Sequence, residues 1–236
     1  MQNQLLKEAN EFQEKLSAWR RALHQIPEIG LHLPKTVAFV KKELEQMDIL
    51  YTVYEESSCI VALIGSGEKC FMLRSDMDAL PVREESGEPF ASENGCMHAC
   101  GHDMHTTTLL GAAKLLKSHE RELKGTVKLL FQSAEETFQG AKAAVDAGVL
   151  ENPRVDAAFA MHVAPNSENK KIIYGEYPMT SVYGFRVLLT GKGTHGSAPE
   201  LGVDPINAGV HLYLALQELI AREISAMEEA VLTIGR

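Results

Sequence analysis

Apolar residues at the start of the chain recur at helical spacing. Leu5, Leu6, Ala9, Phe12, Leu16, Trp19 and Leu23 share one face, so an amphipathic helix is expected over residues 5–23, ending before Pro27. A second helix is expected after Pro34, carrying Val37, Phe39, Val40 and Leu44. The period then changes. Residues 59–64 and 70–74 are short apolar runs separated by Gly65, Ser66 and Gly67, the pattern of two buried strands with a turn between them, and the second run leads directly into Asp76, Met77 and Asp78. A helix is expected over 104–119, with Gly111, Ala112 and Ala113 permitting close packing, followed by a strand over 126–132 that delivers Glu135 and Glu136. A helix over 140–150 and an apolar strand over 157–161, ending on His162, continue the alternation.

Alternating helices and strands predict an α/β fold, a mixed or parallel sheet covered by helices. Asp76, Glu135, Glu136 and His162 then fall just past the C-terminal ends of strands, the edge at which open α/β sheets bind ligands. Near residue 165 the texture turns polar, which suits a boundary loop, and a strand over 181–190 is expected to enter the segment Gly191-Lys192-Gly193-Thr194-His195-Gly196-Ser197-Ala198-Pro199. Asp204 and Pro205 open a long helix to about residue 224, with Pro at its first position, and residues 230–234 begin another strand. Two domains are therefore expected, 1–178 and an incomplete second one over 179–236.

The densest chemistry lies at residues 95–105, where Cys96, His98, Cys100, His102, Asp103 and His105 crowd together. Thiolate and imidazole are ligands for zinc and neighbouring divalent metals. Taken alone, Cys96, His98, Cys100 and His102 are compatible with a structural zinc knot in a non-catalytic protein. A two-metal hydrolytic site needs a bridging anion, terminal ligands and a base for the water. Cys100 is a candidate bridge, His102, Glu136 and His162 are candidate terminal ligands, and Glu135 is the candidate base, since neighbours in an extended segment face opposite ways. Asp76 and Asp78 are either caps at a sheet end or carboxylates that orient a ligand imidazole.

Composition narrows the classes. Of 236 residues 45% are hydrophobic and 23% charged, ordinary for a globular chain, and the formal net charge of −9 argues against a nucleic-acid partner. No run of about 18 apolar residues occurs, so no membrane span is expected. Four cysteines behind a polar, charged N-terminus point to free thiols and a cytoplasmic setting.

The motifs Leu73-Arg74-Ser75-Asp76-Met77-Asp78-Ala79-Leu80-Pro81, His98-Ala99-Cys100-Gly101-His102-Asp103, Ser133-Ala134-Glu135-Glu136, Met161-His162 and residues 193–199 resemble the amidohydrolase branch of the M20 metallopeptidases. That branch includes hippurate hydrolases, auxin-conjugate hydrolases and N-acetyl-diaminopimelate deacetylases. Arg21-Ala22-Leu23-His24-Gln25-Ile26-Pro27-Glu28-Ile29-Gly30 is similar to its N-terminal signature. The resemblance implies a zinc-exopeptidase-like catalytic domain with part of an inserted α+β lid domain that forms a homodimer. It implies two divalent metal ions, zinc or manganese with cobalt or nickel as alternatives, bridged by Cys100 and held by His102, Glu136 and His162. Glu135 would serve as base then acid, and His195 would contact substrate or oxyanion, its plain alternative being a turn residue. The substrate implied is an N-acyl amino acid, with a dipeptide or small peptide as the runner-up. The family carries a further metal-binding histidine on a later segment. The sequence stops at Arg236, so the chain as given is expected to be weakly active or inactive.

Overall fold

The stretch expected as one N-terminal helix folds as two, α1 (Gln2–Glu11) and α2 (Gln13–His24), parted at Phe12. Phe12 has φ −92° and ψ 0°, and its ring lies under the Lys114 ammonium, 4.9 Å from the ring centre. The apolar period runs across this break unchanged, so spacing alone merges the two helices. The computed structural model describes residues 2–168, 170–174 and 181–235, and the chain divides into two compact units, Met1–Asn166 and Ser167–Arg236.

In the first unit, α3 (Pro34–Gln46) begins with proline in its first turn, and the Glu28 carboxylate accepts from the backbone N–H and hydroxyl of Thr36 there. Five strands follow: β1 (Tyr51–Tyr54), β2 (Cys59–Gly65), β3 (Cys70–Asp76), β4 (Thr126–Gln132) and β5 (Ala157–Ala160). Between them lie α4 (His102–Ser118) and α5 (Gly140–Asp146). The sheet order is β1-β2-β4-β3-β5, with the β1–β2 and β2–β4 pairs antiparallel and the β4–β3 and β3–β5 pairs parallel. β2 and β3, the two runs expected with a turn between them, both form, and β4 lies between them in the sheet. Their Gly65–Gly67 link bends instead onto the entry to β4, where a side chain on Gly65 would lie 2.6 Å from the Gly125 carbonyl oxygen.

The sheet is covered on both faces. Ile60, Ala62 and Ile64 of β2 and Leu129 and Phe131 of β4 pack with Trp19, Val40, Leu44, Leu109 and Leu110 from the helices. The alternate residues Cys59, Val61, Met72 and Leu130 pack with Ala144 and Val149. Gly111 lets α4 approach α2 closely, since a side chain there would meet Leu16 at 2.8 Å. The one charged core residue on β4, Lys128, donates to the carbonyls of Val149, Glu151 and Pro153 at 2.7–2.8 Å. Because β3, β4 and β5 run the same way, residues just past Asp76, Gln132 and Ala160 share one edge.

The second unit carries α6 (Pro205–Arg222), capped by Asp204, whose Oδ1 accepts from the N–H groups of Ile206 and Asn207 at 2.8 and 3.1 Å. The strands expected over 181–190 and 230–234 do not form among the described residues; the unit's one bridge joins Lys192 to Val203. A strand's backbone groups need a partner ladder, and none reaches them here. Part of the expected boundary loop, residues 169 and 175–180, lies outside the described residues. Among the described residues, no helix is long and apolar enough to cross a membrane.

Candidate metal centre

β3 carries Asp76 to its end, and the next turn places Asp78 where its two carboxylate oxygens accept from the backbone N–H groups of Glu135 and Glu136, at 3.0 and 3.1 Å. Asp78 thus sets the backbone that carries both glutamates. That backbone is a turn, entered at Ala134 with φ +50° and left at Phe138 with φ +58°. The sequence argument took residues 135 and 136 as extended and facing opposite ways. In the turn both carboxylates reach the same ring nitrogen, His102 Nε2, at 3.8 and 3.7 Å.

α4 starts directly at the site. Gly101, just before it, has φ +83°, and a side chain there would fall 2.5 Å from Val163 Cγ2, so only glycine fits. This bend puts Cys100 and His102 on one side. The ligand atoms of Cys100, His102 and Glu136 lie within 4.8 Å of one another, and His162 Nε2 lies 3.7 Å from Cys100 Sγ. Cys100, His102, Glu136 and His162 are therefore brought together from the α4 entry, the β4 exit and the β5 exit.

Asp76 occupies the floor. Its Oδ1 takes the His105 Nδ1 proton at 2.5 Å and its Oδ2 takes Arg74 Nη1 at 2.7 Å. Although burial opposes it, these bonds and the nearby His102 hold the Asp76 carboxyl down at about 2. Around Cys100 the balance is reversed. Burial and the negative field of Glu136, Glu135 and Asp76 push its thiol up to about 12. Burial likewise raises the Glu136 carboxyl, with Glu135 and Asp78 adding to it. Burial alone would lower His102, yet Asp78, Asp76 and Glu136 raise it, and burial with the adjacent His105 and His102 lowers His162.

These residues fit a cation. Both ring nitrogens of His102 and Oε1 of Glu136 are buried without a hydrogen-bond partner, and buried polar atoms left so are rare and costly. A sulfur, imidazole and carboxylate set with surplus negative charge suits a divalent metal. The alternative knot is not assembled: among the described residues, no ligand cluster includes Cys96 or His98. His98 is buried with both nitrogens unpaired, and burial pushes it down to about 4. His195 belongs to the second unit, where it is exposed and its Nδ1 meets the Ser197 hydroxyl at 2.8 Å.

Two sets of contacts escaped the sequence argument, although His105 and Asp103 stand in the dense 95–105 segment. His105 lies one turn beyond His102, a spacing that marks a shared helix face. Arg20, His24, Glu84 and Asp103 form a buried network behind α4, with His24 Nδ1 2.8 Å and Arg20 Nε 2.7 Å from Asp103. His24 sits in the segment over 21–30, and Arg20 immediately precedes it, but nothing in the spacing announces their partners.

Residues 72–232 match the sequence profile described as Peptidase family M20/M25/M40. The chain is 42% identical over 234 residues to an IAA-amino acid hydrolase from Arabidopsis thaliana, covering 98% of this chain and 53% of that protein. It is 39% identical to an N-acetyl-L-cysteine deacetylase from Bacillus subtilis, over 95% of this chain and 54% of that one. It is 38% identical to a hippurate hydrolase from Campylobacter jejuni, over 98% and 61%. The chain thus spans about half to three-fifths of the length of these relatives. Among solved structures, a Bacillus subtilis protein described as a dinuclear metal-binding peptidase of the M20 family superposes with TM-score 0.63 at 39% identity, over 66% of this chain and 45% of that one. An aminohydrolase structure from methicillin-resistant Staphylococcus aureus gives TM-score 0.78 at 32% identity, over 100% and 64%. With two-thirds of its length under that profile and its candidate metal ligands gathered at one sheet edge, the chain belongs to peptidase family M20/M25/M40.

Proposed function

We propose that the protein is a metal-dependent amidohydrolase that cleaves N-acyl amino acids to a carboxylic acid and an amino acid. The observation that carries this reading is the cluster of Cys100, His102 and Glu136, in which both His102 nitrogens and Glu136 Oε1 are orphaned, with His162 beside it and the Glu135 carboxylate at its rim. The names of the relatives, which act on IAA conjugates, N-acetylcysteine and hippurate, support the substrate class.

Cys100, His102, Glu136 and His162 would hold two divalent cations. The mixed sulfur, nitrogen and oxygen set favours zinc, with manganese, cobalt and nickel as competitors. When bound, the metals supply Lewis acidity toward the amide carbonyl and a water acidic enough to attack it. Glu135 is not needed as a ligand, and its side chain is 36% exposed. It would take the water's proton and pass it to the leaving nitrogen, a transfer worth roughly 10²–10⁴ in rate. Asp78 keeps it in place through the backbone. His195, on the 179–236 segment, would hydrogen-bond the substrate or its oxyanion. We assign 1–178 to the catalytic domain and 179–236 to part of the lid, through which the protein would form a homodimer in the cytoplasm.

Elemental analysis and a panel of N-acetyl, benzoyl and indole-3-acetyl amino acids with dipeptide controls test this. Bound metal, retained by Glu135→Gln while its turnover falls by about 10²–10⁴ below that of the parent, is the expected result. A protein that binds no metal, or a Glu135→Gln variant of full activity, refutes the reading. Preference for dipeptides would move it to the peptidase branch.

A further inference from the structure

His105 lies at the centre of the candidate ligands without being free to join them. Its ring stacks on His102 at 5.3 Å with a 29° interplanar angle and meets His162 edge-on at 4.8 Å. The ring is buried, and both nitrogens are already engaged. Asp76 Oδ1 lies 2.5 Å from Nδ1, and the backbone N–H of Val163 donates to Nε2 at 2.9 Å. An N–H donor leaves Nε2 as acceptor, so the ring proton must sit on Nδ1, where the carboxylate receives it. Asp76, His102 and His105 do lie close enough together to be considered as a metal cluster. The Val163 bond argues against that, because it consumes the one lone pair His105 has to offer.

Val163 follows His162 directly. Just past β5, residues 161–168 make no ladder bond, and the contacts that fix this stretch are few. His105 holds the Val163 N–H, and Val163 Cγ2 fills the space left by the missing side chain of Gly101. A line of contacts thus runs from Arg74 to Asp76, His105 and Val163, ending at the residue that places His162 beside Cys100.

We propose that His105 is a positioning residue, a neutral imidazole protonated on Nδ1 whose bond to the Val163 N–H fixes His162 for metal binding. The inference rests on the reading of His162 as a ligand. Partners of this kind are typically worth about 10–100-fold in metal affinity.

Nitrogen-15 NMR of histidine-labelled protein, metal-free and then titrated with zinc, tests it directly. The expected result is a His105 proton on Nδ1 that stays there, while His102 and His162 shift on zinc addition. A proton on Nε2, or a His105 nitrogen that becomes zinc-coordinated, overturns the proposal. Two variants separate positioning from packing. His105→Gln keeps an acceptor near the Nε2 position, whereas His105→Asn keeps a donor toward Asp76 and abandons Val163. His105→Gln should bind zinc within a few-fold of the parent, and His105→Asn about 10–100-fold more weakly. Equal losses, or the reverse order, overturn it. Should the parent bind no zinc while the proton is found on Nδ1, the metalloenzyme reading fails and the hydrogen-bond line stands. Should zinc bind with the proton on Nε2, only the positioning role fails.

Discussion

His102 and Asp103 are consecutive residues at the start of α4, each 1% exposed, yet they face opposite circumstances. Asp103 enters a cluster that closes on itself. Its carboxylate meets Arg20 and His24, His24 Nε2 meets Glu84 at 3.0 Å, and Glu84 accepts from the Ser92 N–H at 2.7 Å. Against the cost of burial, bonds from Ser86, Ser92 and His24 hold the Glu84 carboxyl at about 2. His102 enters a cluster of Asp76, Asp78, Glu135 and Glu136 in which neither of its nitrogens finds an aligned partner. The first cluster pairs its charges internally and acts as a strut that holds the head of α4. The second is short of positive charge, and that deficit makes it the candidate place for a cation.

The sharpest way to break the contrast is to exchange consequences between the neighbours. His102→Ala should remove metal and lower turnover by about 10³-fold, the value of several kcal/mol of lost electrostatic stabilisation. Its effect on the melting temperature of the metal-free protein should be small, since no hydrogen bond is broken; a large destabilisation there would show His102 to be structural. Asp103→Ala should do the reverse in the metal-free protein. Removing one member of a buried charge network commonly costs 3–5 kcal/mol, and because Arg20 is 33% exposed the low end, about 3 kcal/mol in a denaturant titration, is expected. Unchanged stability would deny the strut.

The first contrast was half visible in the sequence. Cys100 and His102 flank the Gly101 bend, and Glu136 and His162 follow strand ends, so local pattern is enough to send them to one edge. The partners of His102's neighbours depend on long-range folding. His105 meets Asp76 and Val163, 29 and 58 residues away, and His24 meets Asp103 across 79. β1 was missed because four half-exposed residues carry little periodicity, and the strand order was not legible because β4 enters between two runs that are neighbours in sequence. The resemblance to a family supplied roles, whereas the bonds that hold those roles in place came only from coordinates.

The clusters also differ in backbone strain. The turn that presents Glu135 and Glu136 is bounded by Ala134 and Phe138 in the left-handed region, while no residue of the Arg20, His24, Glu84 and Asp103 network has positive φ. Phe138 is 69% exposed, so its ring returns little burial. Phe138→Gly should therefore stabilise the protein by roughly 0.5–1 kcal/mol, the relieved strain less the entropy that glycine adds to the unfolded chain. Metal content should be unchanged. Destabilisation in a thermal melt would mean that the Phe138 ring makes a contact worth more than the strain.

His119 repeats the geometry of His24 in water and isolates what burial contributes. Its two nitrogens meet Glu8 and Glu122, each at 2.7 Å, tying α1 to the end of α4. Hydrogen bonds to Glu8 and then Glu122 raise the His119 pKa, and the bond from His119, with a second from Gln4, lowers that of Glu8. Because His119 is raised in the folded protein, its contribution is complete below the unfolded value of about 6.5 and fades as pH rises through the folded value. Glu8 is lowered, so its contribution is complete above the unfolded value near 4.5 and fades as pH falls through the folded one. The stability difference between the parent and His119→Ala should thus be greatest from about pH 4.5 to 6.5. It should shrink on either side and weaken in high salt, as exposed pairs do. The same comparison for His24→Ala should give a larger and salt-insensitive loss. Equal, salt-sensitive losses at the two histidines would show that enclosure adds nothing to the buried network.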